Sequence, residues 1–240
     1  MLKVHSIFES ISGEAGGFPQ GTWMTGIRLQ GCNLKCKWCD TPQAQQPKQE
    51  ELHSMGTFAG RVDVTAGRTV TDLLHSIKKA NNKHILITGG EPLLQPQVIE
   101  LAEELLIRNY EVAVETNGTL TIPCIPGVDW VVDYKCPSSG IAAEEQFPGA
   151  AFIYQLRNLT RTGNGVHLKF VVADATDIDF SVSFIKACIE YGLEIPFIIS
   201  PIDAKGEGIT NIVDRIKNTH PDLLNYIVFS IQLHKIFNLP

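Results

Sequence analysis

The chain has 240 residues, 44% of them hydrophobic, enough to bury one substantial core, and an α/β barrel of this size forms a single domain spanning 1–240. A formal charge of −6 with no cluster of Lys and Arg argues against a broad phosphate-binding surface and so against nucleic acid as a direct partner. No run of about 18 or more apolar residues occurs, and Met1-Leu2-Lys3-Val4-His5 lacks the apolar core of a secretory signal, so a cytoplasmic protein without a membrane partner is expected.

In chain order, the first strand-like segment is Met24-Thr25-Gly26-Ile27-Arg28-Leu29, which runs into Gly31-Cys32-Asn33-Leu34-Lys35-Cys36-Lys37-Trp38-Cys39-Asp40. The polar stretch from Pro42 to Gly67 shows little periodicity and reads as a long loop or insertion: a lid, a binding segment or an excursion from the domain. Val70, Leu73, Leu74 and Ile77 then follow the i, i+3, i+4, i+7 spacing of one helix face, and Val182, Ile185 and Ile189 follow i, i+3, i+7 further on, which predicts two core-facing helices. Short β-rich runs alternate with such patterns: His84 to Thr88, Glu111 to Glu115, Asp129 to Asp133, His167 to Val172 and Pro196 to Ile199. They read as buried parallel strands joined by right-handed crossovers, in either an open doubly wound sheet or a full or partial barrel. Both architectures bind ligands at the carboxyl ends of strands. There lie Thr88-Gly89-Gly90-Glu91-Pro92, Glu115-Thr116-Asn117-Gly118 and Asp133-Tyr134-Lys135.

Six cysteines in a reducing compartment are better read as thiols than as disulfides. Cys124, Cys136 and Cys188 are scattered and read as small, partly buried apolar residues. Cys32, Cys36 and Cys39 form C-x3-C-x2-C, a spacing that lets one loop wrap an iron-sulfur cluster with three thiolates where an ordinary 4Fe-4S cluster takes four, leaving one iron open to a non-protein ligand. Competing readings are a zinc site with a fourth ligand from Cys124, Cys136 or a His, a redox pair of Cys36 and Cys39 that leaves Cys32 unexplained, and three packed core thiols, which the polar, Lys-bearing loop disfavours. Gly89 and Gly90 allow backbone to approach a ligand closely, and Glu91 beside them can accept hydrogen bonds from an ammonium group.

Joined to Thr88-Gly89-Gly90-Glu91-Pro92, the cysteine loop with an aromatic before its last thiol resembles the radical SAM superfamily, in which S-adenosylmethionine (SAM) chelates the open iron. Phe8-Glu9-Ser10-Ile11-Ser12-Gly13-Glu14, Arg28-Leu29-Gln30-Gly31-Cys32, Trp38-Cys39-Asp40-Thr41, Ser200-Pro201-Ile202-Asp203 and Gln232 to Pro240 together resemble the 7-carboxy-7-deazaguanine synthase family. The resemblance implies a compressed, partial TIM-like barrel with parallel strands and fewer covering helices, and a homodimer. It also implies conversion of 6-carboxy-5,6,7,8-tetrahydropterin to 7-carboxy-7-deazaguanine with loss of ammonia, a step toward queuosine and other deazapurines, using a 4Fe-4S cluster, SAM, Mg²⁺ and an electron donor such as flavodoxin or ferredoxin. The stretch at about 42–67 would be a family-variable insertion.

On the residues themselves, Arg28 can pair bidentately with a pterin carboxylate, or form a surface or interface salt bridge. The resemblance makes Thr41 an Mg²⁺ ligand; taken alone, a Thr between Asp and Pro is a turn or cap residue. It also implies that Ile11, Ser12, Gly13, Thr88, Glu115 and Asn117 face the pterin, and that Trp38, Cys39, Asp40, Gly90, Lys135 and Ser138 contact SAM. Asp133-Tyr134-Lys135-Cys136-Pro137-Ser138 departs from the Ser-Pro-Lys of many relatives. The carboxylate of Pro240 is expected to turn into the pocket, where it would accept hydrogen bonds from a guanine-like edge. Two other functions share parts of this pattern: a glycyl-radical-activating enzyme with a protein substrate, and a non-enzymatic zinc-binding interaction module.

Overall fold

A computed structural model describes residues 1–45, 62–63, 67–80, 82–202 and 206–237. The elements run β1 (Val4–Ile11), β2 (Trp23–Leu29), β3 (Val62–Asp63), α1 (Val70–Ile77), β4 (His84–Gly89), α2 (Gln97–Ile107), β5 (Glu111–Thr116), β6 (Val128–Asp133), α3 (Gly149–Arg161), β7 (Gly165–Val172), α4 (Ala175–Glu190), β8 (Phe197–Pro201), α5 (Gly206–Thr219), β9 (Ile227–Phe229) and α6 (Leu233–Phe237). Within the long polar stretch, Pro42–Ala44 makes a short 3-10 turn and Val62–Asp63 pairs with β1. The rest of that stretch from 46 lies outside the described residues up to Gly67, as does the Pro240 carboxylate.

The sheet order β3-β1-β2-β4-β5-β6-β7-β8-β9 decides between the two architectures. β2 pairs parallel with β4, and from β4 to β9 each strand lies parallel beside the next in sequence, without the reversal that defines a doubly wound sheet. Side-chain alternation points the same way. Ile85, Ile87, Val112, Val114, Val128, Trp130, Val132, Val166, Leu168 and Phe170 face outward into one core shared with the helices. Leu86, Thr88, Ala113, Glu115, Val131, Asp133, Lys169 and Val171 face a cavity on the other side. Among the described residues helices cover one face only, so the molecule is the partial barrel that the resemblance implies.

Among the described residues the barrel does not close by hydrogen bonds: β3 and β9 are its two edges, and β1 pairs antiparallel with β2. The loop between β1 and β2 bridges the gap by crossing the inner face. Gly16 and Gly17 allow it to lie flat there, since a Cβ at either would come within 2.8 Å of Val131 Cγ2 or 2.4 Å of Ala113 Cβ. Beyond β9 the chain meets this loop: Leu233 N donates to Gly13 O at 2.8 Å, and Ala15 N to Ser230 Oγ at 2.9 Å.

Both helices read from periodicity form where expected. Thr69 caps α1 by accepting from Asp72 N at 3.1 Å while its own N–H donates to Asp72 Oδ2 at 3.0 Å, and Val70, Leu73 and Ile77 are buried. Asp174 caps α4, whose buried positions include Val182 and Ile185. Among the described residues no helix is long and apolar enough to cross a membrane.

Candidate active site

Parallel strands deliver all their carboxyl ends to one rim, and those of β2, β4, β5, β6 and β7 open on a cavity of about 340 Å³. Every residue expected in the site lines it except Glu91, Ser138 and the undescribed Pro240. Register explains part of this convergence: Arg28 sits opposite Thr88, and Asp133 opposite Lys169. Thr88 donates to Glu115 Oε2 at 2.7 Å across the next pair of strands.

The cysteine loop is held by backbone. Gly31 N donates to Ala44 O at 2.8 Å, Glu91 N to Gly31 O at 2.7 Å and Lys37 N to Ser139 O at 2.9 Å, while Leu34 is buried beneath the loop. Gly89 adopts φ +143°, and a Cβ on Gly90 would lie 2.0 Å from Gly31 O. The paired glycines therefore let the β4 turn press against the cysteine loop as well as open toward a ligand. Glu91 does not reach the cavity. It is fully buried, accepting from Leu93 N at 2.9 Å, Thr116 Oγ1 at 2.8 Å and Asn117 N at 2.7 Å, which corrects the expectation that it meets an ammonium group. Its oxygens are used to join β4 to β5.

Cys32, Cys36 and Cys39 are half-exposed and all line the cavity. Burial raises the thiols of Cys32 and Cys36 above their ordinary value, so iron would displace protons there on binding. Three soft donors on the wall of one cavity, carried by one loop, suit a 4Fe-4S cluster that keeps one iron free. Cys136 and Cys188 are buried as expected, the second thiol pushed up to about 12 by burial, whereas Cys124 is exposed rather than packed.

Trp38 is fixed from two sides: its Nε1 donates to Ser138 Oγ at 3.1 Å, and Lys135 Nζ stands 5.2 Å from its ring centre. Ser138 thus supports Trp38 from behind the cavity wall. Next along the rim, Thr41 donates to Asp40 Oδ1 at 2.8 Å and accepts from Arg28 Nη1 at 3.0 Å. Partial burial would raise the Asp40 carboxyl, but the His234 ring, 3.5 Å from Oδ2, and the Thr41 hydroxyl hold it well below the usual carboxylate range.

Several residues of the site were not anticipated. Lys169 pairs with Glu14 at 2.5 Å, and Gln232 donates to the other oxygen of Glu14 at 2.9 Å. Burial alone would push the Glu14 carboxyl up, but Lys169, His234 and Gln232 together leave the group lowered. The signal was present in His167-Leu168-Lys169-Phe170-Val171: a lysine inside an apolar strand, on the alternation that faces inward. His234 and Gln232 arrive from beyond β9, in the terminal run that carries part of the family resemblance but in which only Pro240 was expected to act.

With this geometry, the comparison with known proteins is specific. Residues 27–128, which span the cysteine loop and the paired glycines, match the Radical SAM superfamily. A 7-carboxy-7-deazaguanine synthase of Methanospirillum hungatei is 31% identical over 241 residues, covering 100% of this chain and 86% of the relative. The chain belongs to the 7-carboxy-7-deazaguanine synthase family. A second 7-carboxy-7-deazaguanine synthase, from Thermoplasma acidophilum, is 30% identical across 98% of this chain and 96% of its own. The fold agrees: the crystal structure of QueE from Escherichia coli superposes with a TM-score of 0.66 at 20% identity, covering 96% of this chain and 93% of that one. Streptococcus suis SuiB bound to S-adenosylmethionine shares the fold at a TM-score of 0.55 and 14% identity over 88% of this chain and 47% of that one. As a 7-carboxy-7-deazaguanine synthase family member the chain is a radical SAM enzyme, a class that implies a 4Fe-4S cluster and SAM. Family membership sets aside the zinc module and the glycyl-radical-activating enzyme.

Proposed function

We propose that the chain converts 6-carboxy-5,6,7,8-tetrahydropterin to 7-carboxy-7-deazaguanine with release of ammonia. The observation that carries this reading is that three half-exposed thiols and the polar groups suited to a carboxypterin, Arg28, Thr88 and Glu115, open into the same cavity. The cluster and SAM supply the one-electron bond cleavage that starts radical chemistry on the substrate.

The chain's own residues bind, orient and exclude water. Cys32, Cys36 and Cys39 hold the cluster, and Trp38, Asp40, Gly90 and Lys135 form the SAM side of the cavity, with Ser138 acting through Trp38. Arg28 receives the substrate carboxylate as a bidentate donor. Ser12 and Gly13, beside Ile11, hold the pterin from the β1–β2 loop, and Thr88, Glu115 and Asn117 meet its polar edge. Thr41 would hold Mg²⁺: its hydroxyl proton is already given to Asp40, and its oxygen retains a lone pair beyond the one Arg28 uses. The Pro240 carboxylate belongs to the same pterin pocket in this reading. A flavodoxin or ferredoxin would supply the electron, checked by substituting each for dithionite, and the enzyme would act as a homodimer, checked by sedimentation velocity.

Replacing Cys32, Cys36 or Cys39 with Ala tests the assignment. Each variant is expected to lose cluster iron and all SAM cleavage, while Cys124→Ala keeps both. Cluster retention in Cys32→Ala with loss in Cys124→Ala would overturn it.

A further inference from the structure

Lys135 is 9% exposed, and its ammonium lies 2.8 Å from Asp133 Oδ2 and 5.2 Å from the centre of the Trp38 ring, inside the cysteine loop. Burial would lower its pKa, but Asp133 and the neighbouring thiol site reverse that, so the group is cationic. The other cations on the cavity wall are committed differently: Arg28 donates to Thr41, Lys169 pairs with Glu14 at 2.5 Å, and Lys235 donates to Ile202 O at 3.4 Å. Asp133 is the counter-charge. It lies 2.8 Å from Lys135 and 4.0 Å from Lys169, and its second oxygen, Oδ1, has no hydrogen-bond partner among the described residues.

We propose that Lys135 and Asp133 are a pair of opposed positioning charges that set the reduction potential of the cluster held by the cysteine loop. The inference rests on the proposed function for the presence of that cluster. Three thiolates leave such a cluster net negative, and reduction adds one electron from an external one-electron donor without any bond being formed or broken. The reduced state therefore gains more than the oxidised state from a nearby ammonium, and loses more to a nearby carboxylate. Burial makes both effects large, because partly buried charges are screened little by salt. Surrounding charge and hydrogen bonding are the protein's established means of tuning such potentials.

The pair is tested by redox titration of the anaerobically reconstituted enzyme against dithionite without SAM, following visible absorbance and the spin signal of the reduced cluster, with SAM affinity measured separately. Lys135→Met is expected to lower the reduced-to-oxidised ratio at a fixed potential about tenfold, equivalent to about 59 mV for a one-electron couple. Asp133→Asn should move the ratio the opposite way, and Lys135→Arg should stay within about twofold of the parent. A merely structural role would shift both charge-removing variants in one direction or only lower their iron content. Should Lys135→Met assemble no cluster, Asp133→Asn decides: an unchanged or lowered ratio overturns the proposal. A parent-like titration of Lys135→Met combined with weaker SAM binding would make Lys135 a SAM contact alone, and would overturn the tuning role while leaving the proposed function intact. A parent that assembles no cluster would sink both.

Discussion

A methyl group on Gly90 would stand 2.0 Å from the Gly31 carbonyl oxygen, with backbone on both sides of the contact, so neither partner can turn aside. Gly90→Ala is expected to displace the cysteine loop and lower iron per chain several-fold after reconstitution, with the rest of the fold preserved by far-ultraviolet circular dichroism. Parent-like iron content would show that the contact is dispensable. At Thr41 the hydroxyl sits between Arg28 and Asp40, so Thr41→Val removes one acceptor and one donor at the proposed metal position without changing size. The variant should keep its cluster and lose most of the Mg²⁺ stimulation of turnover; equal Mg²⁺ dependence in variant and parent would rule out a ligand role. These residues were legible because their motif is local: the thiols, Thr41 and Gly90 each belong to a short run. Glu91 was misread for a physical reason. Sequence shows a carboxylate beside two glycines but not the two backbone N–H groups and one hydroxyl that occupy it.

Among the elements, the β1–β2 loop was the least visible in sequence, since neither periodicity nor a turn motif says that a loop crosses the inside of a barrel. Its anchor is Glu14, bound by Lys169 and Gln232. Breaking one partner of a buried pair leaves the other charge uncompensated, so Glu14→Gln should destabilise the folded state by about 3 kcal/mol. The sign of the pH effect follows from the lowered Glu14 carboxyl. Its contribution is complete above the ordinary value of 4.5 and is lost as pH falls through the lower folded-state value. Hydrogen exchange of the loop amides, corrected for intrinsic rates, should show protection in the parent that fades only under acid conditions, and little protection in Glu14→Gln at neutral pH. Equal protection in both proteins would contradict the anchor. By contrast, β4 to β8 were readable within a residue or two, because buried parallel strands carry continuous apolar runs. What those runs concealed was that only the outer face packs against helices.

Across the whole molecule, an unreversed strand order and one-sided helices produce a curved sheet whose inner wall is charged: Arg28, Lys135 and Lys169 against Glu14, Asp40, Glu115 and Asp133 all line one cavity. Composition gave no hint of this, since a formal charge of −6 says nothing about where opposite charges meet. Such a wall is costly to bury unless each charge is paired or used by a ligand, and here Lys135 meets Asp133, Lys169 meets Glu14 and Asp40 meets His234. That is the arrangement expected of a site built to orient a polar, carboxylated heterocycle beside a cluster. The most direct test is an anaerobic assay of the reconstituted chain with SAM, dithionite, Mg²⁺ and 6-carboxy-5,6,7,8-tetrahydropterin, following product by mass spectrometry. The account predicts 7-carboxy-7-deazaguanine and ammonia in equal amounts. SAM cleavage that proceeds with the pterin left unchanged would contradict it.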